Sequence, residues 1–240
     1  MVPPSATLIP GWRLGRGPLM PLADRLGAAW HDLPGYGTTP FTADFATALA
    51  HLHEAIPAQT VLVGWSLGAM VALAAAAQGD KRITGVVVLA GTPSFIQRSD
   101  WPHGLSPEAL AEFRQSIAAD EAAMLPRFVG GFNRGDANAK AITALILAAA
   151  DPSPPLPVLL AGLTWLAELD LRPLLPTISC PVLVIHGEND PLIPATAGRA
   201  IAASVANGAY LGIDAAAHAP FLSAPERVAA AISSFLVKCR

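Results

Sequence analysis

Apolar positions in this chain fall into short unbroken runs separated by longer stretches with helical spacing. Ala6-Thr7-Leu8-Ile9, Ala28-Ala29-Trp30-His31, Thr60 to Val63, Ile83 to Ala90 and Pro181 to His186 are such runs, and Asn207 to Ile213 reads as a last strand. Runs of about four to eight apolar residues between turn residues predict strands buried on both faces. Thr42 to Ala55, Ala69 to Gln78, Ala195 to Ala206 and Pro225 to Val237 predict the helices that cover them. Strand and helix in alternation predict an α/β fold with a mostly parallel sheet. The alternation breaks between Ser94 and Pro176, where Pro107 to Ala118, Glu121 to Phe128, Ala137 to Ala149 and Pro157 to Leu169 all read as helices. A minimal crossover needs only about a dozen residues. The expected organisation is therefore a core of residues 1–93 and 171–240, with a helical lid of residues 94–170 spliced into it.

One strand run leads into candidate chemistry. Thr60 to Val63 is followed by Gly64-Trp65-Ser66-Leu67-Gly68 and then by the Ala-rich segment Ala69 to Ala77. Strand, Gly-x-Ser-x-Gly turn and helix together lift a serine hydroxyl clear of the backbone at a helix start, where free N–H groups favour negative charge. A serine hydroxyl is a weak nucleophile and needs a base, which in turn needs an acid to orient it. After the strand ending at His186, the turn Gly187-Glu188-Asn189-Asp190-Pro191 presents Asp190 as the acid. Glu188 reads as a turn or surface charge, and Asp214 is too close in sequence to the base. After the strand ending at Ile213 comes His218, chosen as the base over the other histidines. His31, His51 and His53 precede the nucleophile, His103 falls in the lid, and His186 ends a strand. The oxyanion donors expected are the amides of Leu67, next after the nucleophile, and of Trp12, in the loop after the first strand. Pro10 has no N–H to offer, and the Trp12 indole also reads as an ordinary packed ring.

Composition narrows the class. The chain has 240 residues, 52% hydrophobic and only 14% charged, which is a globular and not a disordered composition. A net charge of −3 without a basic run gives nucleic-acid binding no electrostatic footing. Cys180 and Cys239 form no metal-spaced cluster, so neither a metal nor a cofactor is expected. Met1 to Pro10 lacks the pattern of a secretory leader, and Ala141 to Ala150 is too short to span a bilayer. The expectation is a cytoplasmic monomer with no membrane partner.

With these residues in place the chain resembles the α/β-hydrolase superfamily, and within it the pimeloyl-[acyl-carrier-protein] methyl ester carboxylesterases of biotin synthesis. The resemblance rests on Gly11-Trp12, Asp32-Leu33-Pro34-Gly35-Tyr36-Gly37 and the Ser66 motif. It continues through Thr92-Pro93-Ser94-Phe95, Asp100-Trp101-Pro102, Arg127-Phe128, Asp170-Leu171-Arg172, His186 to Asp190 and Ala216 to Phe221. The chain departs from the pattern at Pro10, where most relatives carry histidine. The resemblance implies a carboxylesterase that cleaves a methyl ester presented on acyl-carrier protein, through an acyl-enzyme on Ser66. It further implies an acyl channel lined by Trp12, Phe128, Val129, Gly130, Gly131, Phe132 and His218, and carrier-protein contacts at Arg127 and Lys140. Two other functions fit the same residues: a general short-chain carboxylesterase or lactonase, and a ligand receptor that does no chemistry. Phe95, Phe113, Phe128, Phe132 and Trp165 fit either an acyl pocket or a core face.

Overall fold

A computed structural model describes residues 5–239. Met1–Pro4, part of the segment read above as lacking a leader, lie outside the described residues, as does Arg240. Six strands form one sheet: β1 (Ser5–Ile9), β2 (Ala29–Trp30), β3 (Thr60–Trp65), β4 (Ile83–Leu89), β5 (Val182–Gly187) and β6 (Gly208–Ile213). Their order is β2-β1-β3-β4-β5-β6, and every pairing is parallel. The central strands are buried at nearly every position and mostly apolar because their two faces feed two separate cores. Leu62, Val86, Val88 and Val184 point into one core, while Val61, Val63, Val87 and Ile185 point into the other.

Helices α1 (Met20–Leu26), α2 (Phe45–Ala55) and α3 (Leu67–Ala77) follow the early strands. The sequence pattern did not predict α1, which has proline in its first turn and closes on Gly27 in the left-handed region (φ 58°). α2 starts three residues later than Thr42, because the Asp44 carboxylate caps it by accepting the Thr47 N–H at 2.8 Å.

Between β4 and β5 lie α4 (Pro107–Phe132), α5 (Ala139–Ala149) and α6 (Leu156–Glu168). Two helices were expected where α4 runs. Its halves meet at Asp120, whose backbone is non-helical (φ −160°, ψ 86°) and whose side chain caps the second half at Ala123 N, 3.0 Å away. That half continues past Phe128 through Gly130-Gly131 to Phe132. Each glycine costs about 1 kcal/mol relative to alanine in a helix, and burial of Phe132 offsets this. The insertion leaves and rejoins the sheet at one place. Ser94 and Asp170 form an antiparallel bridge, and the Leu171 N–H donates to the Pro93 carbonyl at 2.8 Å. Arg172 clasps this neck by pairing with Asp170 (2.7 Å) and Asp100 (2.9 Å). The chain closes with α7 (Ala195–Ser204), α8 (Pro220–Ser223) and α9 (Pro225–Lys238). Among the described residues no helix is long and apolar enough to cross a membrane.

Candidate active site

Ser66 occupies the tight turn between β3 and α3, with φ 55° and ψ −117°. A non-glycine residue held there stores strain, which the surroundings must over-determine. They do so by close backbone approach. A Cβ on Gly64 would lie 2.3 Å from the Gly68 carbonyl oxygen, and one on Gly68 would lie 2.2 Å from the Ile9 carbonyl oxygen. The loop after β1 approaches less closely on its own side, where a Cβ on Gly11 would be 3.3 Å from Ser66 Cβ. Leu67 is the first residue of α3, where an N–H has no acceptor within the helix. The N–H of Leu67 and the Gly11-Trp12 loop thus flank the serine. The Trp12 indole is packed as well, donating from Nε1 to the Leu159 carbonyl at 2.9 Å.

Asp190 follows β5 and His218 follows β6. Asp190 Oδ1 accepts the N–H groups of Leu192 (2.9 Å) and Ile193 (3.0 Å), which fixes the carboxylate in its turn. Its Oδ2 lies 2.7 Å from His218 Nδ1, and both side chains are buried. Burial pushes the Asp190 carboxyl up, but the charge on His218 and hydrogen bonds to His186 and His218 outweigh it and hold the group at about 2. The Asp190 carboxyl is therefore ionised at neutral pH. An acceptor on Nδ1 places the imidazole proton there and leaves Nε2 for the cavity. His186 Nε2 bonds to the Ile193 carbonyl at 2.8 Å and lies 3.4 Å from Asp190, in a wholly buried position. Glu188 is engaged by Arg199 (2.6 Å) and the Tyr210 hydroxyl (3.0 Å), and Asp214 is exposed.

Ser66 and His218 open on one cavity of about 240 Å³. Its walls are Trp12, Phe95, Phe113, Phe128 and Phe132 together with leucines of α4 and α6 and Leu192. Among the described residues no Asp, Glu, Lys or Arg side chain lines it. The rings of Trp12, Phe113, Phe128 and Phe132 form a chain of contacts with centroids 5.1–5.6 Å apart, and Phe132 meets His218 at 5.2 Å.

The segment expected to line an acyl channel divides by helical phase. Phe128 and Phe132, one turn apart, face the cavity. Val129 points the other way into the second core and is fully buried, and Gly130 lines neither this cavity nor its neighbour. Gly131 faces a second depression of about 260 Å³ that shares Phe113, Phe128, Phe132 and Leu192 with the first. Arg127 lies at that depression, exposed. Lys140 is exposed in the first turn of α5 and lines neither cavity. Trp165 belongs to the core side: it packs on Phe45 and donates to the Ala43 carbonyl at 2.8 Å.

Sequence reasoning did not single out the leucines Leu105, Leu110, Leu163 and Leu166 of the cavity wall. Leu110 on α4 and Leu163 and Leu166 on α6 have the spacing of any buried helix face, and Leu105 sits in the loop before α4. Two charged residues also went unread. Arg13, next to Trp12, is left-handed (φ 73°) and buried, and its guanidinium pairs with Glu121 at the kink of α4. Asp136, in the turn after α4, accepts the Ala217 N–H beside His218 at 3.0 Å.

The chain is similar to known proteins over nearly its whole length. The chain is 37% identical to the pimeloyl-[acyl-carrier protein] methyl ester esterase of Xanthomonas campestris pv. campestris (strain B100), over 97% of this chain and 95% of that one. It is equally similar to the enzyme of the same name from Stenotrophomonas maltophilia (strain R551-3), over 97% and 93%. Among solved structures, the bromoperoxidase from Bacillus anthracis superposes with a TM-score of 0.86 at 21% identity, covering 98% of this chain and 92% of that one. The enol-lactonase from Burkholderia xenovorans LB400 superposes at 0.81 with 19% identity, covering 99% and 92%. At such identities these two likenesses speak to the fold alone. Residues 8–231 match the alpha/beta hydrolase family, and with the parallel sheet and the turn at Ser66 in view, the chain belongs to that family.

Proposed function

We propose that this protein is a serine carboxylesterase that hydrolyses the methyl ester of pimeloyl-[acyl-carrier protein]. The observation that carries the reading is the buried Asp190–His218 pair at 2.7 Å, facing an apolar cavity that also receives Ser66 from its strained turn. The relatives' names supply the substrate. Ser66 Oγ attacks the ester carbonyl while His218 Nε2 takes its proton and passes it to the leaving methanol. Asp190 holds the imidazole by Nδ1 and offsets its positive charge. The amides of Trp12 and Leu67 hold the oxyanion, and water then releases the acyl group by the same steps in reverse.

A cavity without a cation favours the neutral ester over the carboxylate product, because an unpaired buried charge is expensive. Residues 94–170 act as the lid over this cavity. Trp12, Phe128 and Phe132 contact the acyl chain, and Arg127 and Lys140 meet the acidic carrier protein. The enzyme works as a cytoplasmic monomer, with no cofactor and no nucleic-acid partner.

Hydrolysis of pimeloyl-carrier-protein methyl ester, followed by release of methanol, tests the reading. Wild-type protein is expected to turn it over, and Ser66→Ala to lose about a thousandfold or more. A Ser66→Ala protein with undiminished hydrolysis sinks the mechanism. Cleavage of p-nitrophenyl esters without cleavage of the carrier-bound ester leaves a general short-chain esterase, a reading the uncharged cavity also accommodates.

A further inference from the structure

We propose that Asp136 is a positioning residue for the catalytic histidine, acting from the turn between α4 and α5. The inference rests on the esterase reading above. Asp136 is buried, 8% exposed, and has no ion-pair partner among the described residues. Its carboxylate is satisfied by donors alone: the Asn138 N–H to Oδ1 at 2.7 Å, and the Ala217 N–H (3.0 Å) and Ser223 hydroxyl (2.5 Å) to Oδ2. The Asn138 bond is an ordinary turn contact two residues on. The two Oδ2 bonds are not local, because they reach across to the residue before His218 and to the helix after it.

A buried carboxylate without a cation is costly, and hydrogen bonds to a charged acceptor are stronger than neutral ones. That expense makes sense where a backbone must be held in one place. The histidine loop needs such holding, since Ala215 is left-handed at φ 56°, a conformation that residues with a β-carbon rarely adopt. The same turn grips the loop at two further points. The Ala137 N–H donates to the Ala215 carbonyl at 2.8 Å, and the His218 N–H donates to the Phe132 carbonyl at 3.3 Å.

The acid loop is tied to the same turn. Asn189 Nδ2, next to Asp190, donates to the Gly135 carbonyl at 2.8 Å. Gly135 takes a left-handed conformation (φ 96°), and a Cβ there would lie 3.2 Å from the Asn189 carbonyl oxygen. Residues 132–137, although part of the insertion, thus brace both loops that carry the acid and the base. Phe132 of that brace packs its ring on His218, and Asp136 hydrogen-bonds the backbone beside it.

Asp136→Ala and Asp136→Asn test this when kcat is expressed per serine titrated with a fluorophosphonate probe. Only folded sites react with the probe, so a purely structural role leaves the per-site kcat unchanged. Asp136→Ala is expected to lose about tenfold to a hundredfold in per-site kcat, the scale of a small misplacement of a catalytic group, with KM within about twofold of wild type. Asp136→Asn, whose amide oxygen can still accept the Ala217 N–H, is expected to recover part of the loss. Should Asp136→Ala not fold, the isosteric Asp136→Asn carries the test by the same readout. A per-site kcat within about twofold of wild type in the folded variants overturns the proposal, as does a loss confined to KM. Failure of the underlying reading looks different: wild-type protein would not be labelled at Ser66, and Ser66→Ala would still hydrolyse ester.

Discussion

A methyl group added at Gly64 would collide with the Gly68 carbonyl oxygen at 2.3 Å, whereas one added at Gly130, on the helix covering the same cavity, would meet no atom within 4 Å. The two walls of the site are built differently. Below, backbone packs on backbone, and the position of Ser66 follows from how closely β3, α3 and the loop after β1 approach one another. Above, α4 and α6 are set by side chains: the ring cluster of Trp12, Phe113, Phe128 and Phe132, the indole bond to Leu159, and the Arg13–Glu121 pair. A wall made of backbone tolerates no added atom. A wall made of side chains can be re-cut residue by residue.

The sharpest way to break this contrast is Gly64→Ala. A Cβ against backbone atoms cannot be relieved by a rotamer change, so a loss of at least about 3 kcal/mol is expected in urea unfolding, with activity lost alongside. Glu121→Gln probes the upper wall. It leaves the Arg13 guanidinium buried with a neutral partner, and since Glu121 is partly exposed the expected cost is about 2 kcal/mol, below that of a fully buried pair. Unfolding midpoints at matched pH would show it, and an unchanged midpoint would mean that the pair does not anchor α4. Gly130→Ala should move stability the other way, by about 0.5–1 kcal/mol of gain, since alanine is the better helix former and its methyl is unopposed. Destabilisation by Gly130→Ala would show that the outer side of α4 is as tightly fitted as the Ser66 turn.

The same contrast explains what could be read in advance. Strands buried on both faces are unbroken apolar runs, so β1, β3, β4 and β5 stood out, and the glycines of the Ser66 turn announce a backbone with no room. Asp190 and His218 stood out because each follows a strand end in the chain order of the α/β-hydrolase fold. The upper wall was harder. Gly130-Gly131 reads as a helix stop, yet α4 passes through it because Phe128 and Phe132 find their place one turn apart. The resemblance placed Val129 and Gly130 with them, while helical phase turns both away from the cavity. Asp136 was invisible for another reason. An aspartate before a helix is an ordinary turn residue, and nothing local says that its second oxygen reaches a loop some eighty residues on.

The bridge between Ser94 and Asp170 has a bearing on how such enzymes diversify. Because the insertion departs and returns at adjacent points beside β4, it behaves as a cassette: segments of other lengths can be exchanged there without altering the register of any strand. Exchange at that junction would give new substrate preferences in single steps. The brace at residues 132–137 sets the limit on such grafts. A replacement must bring its own support for the histidine loop, or it inherits a pocket whose base is poorly held.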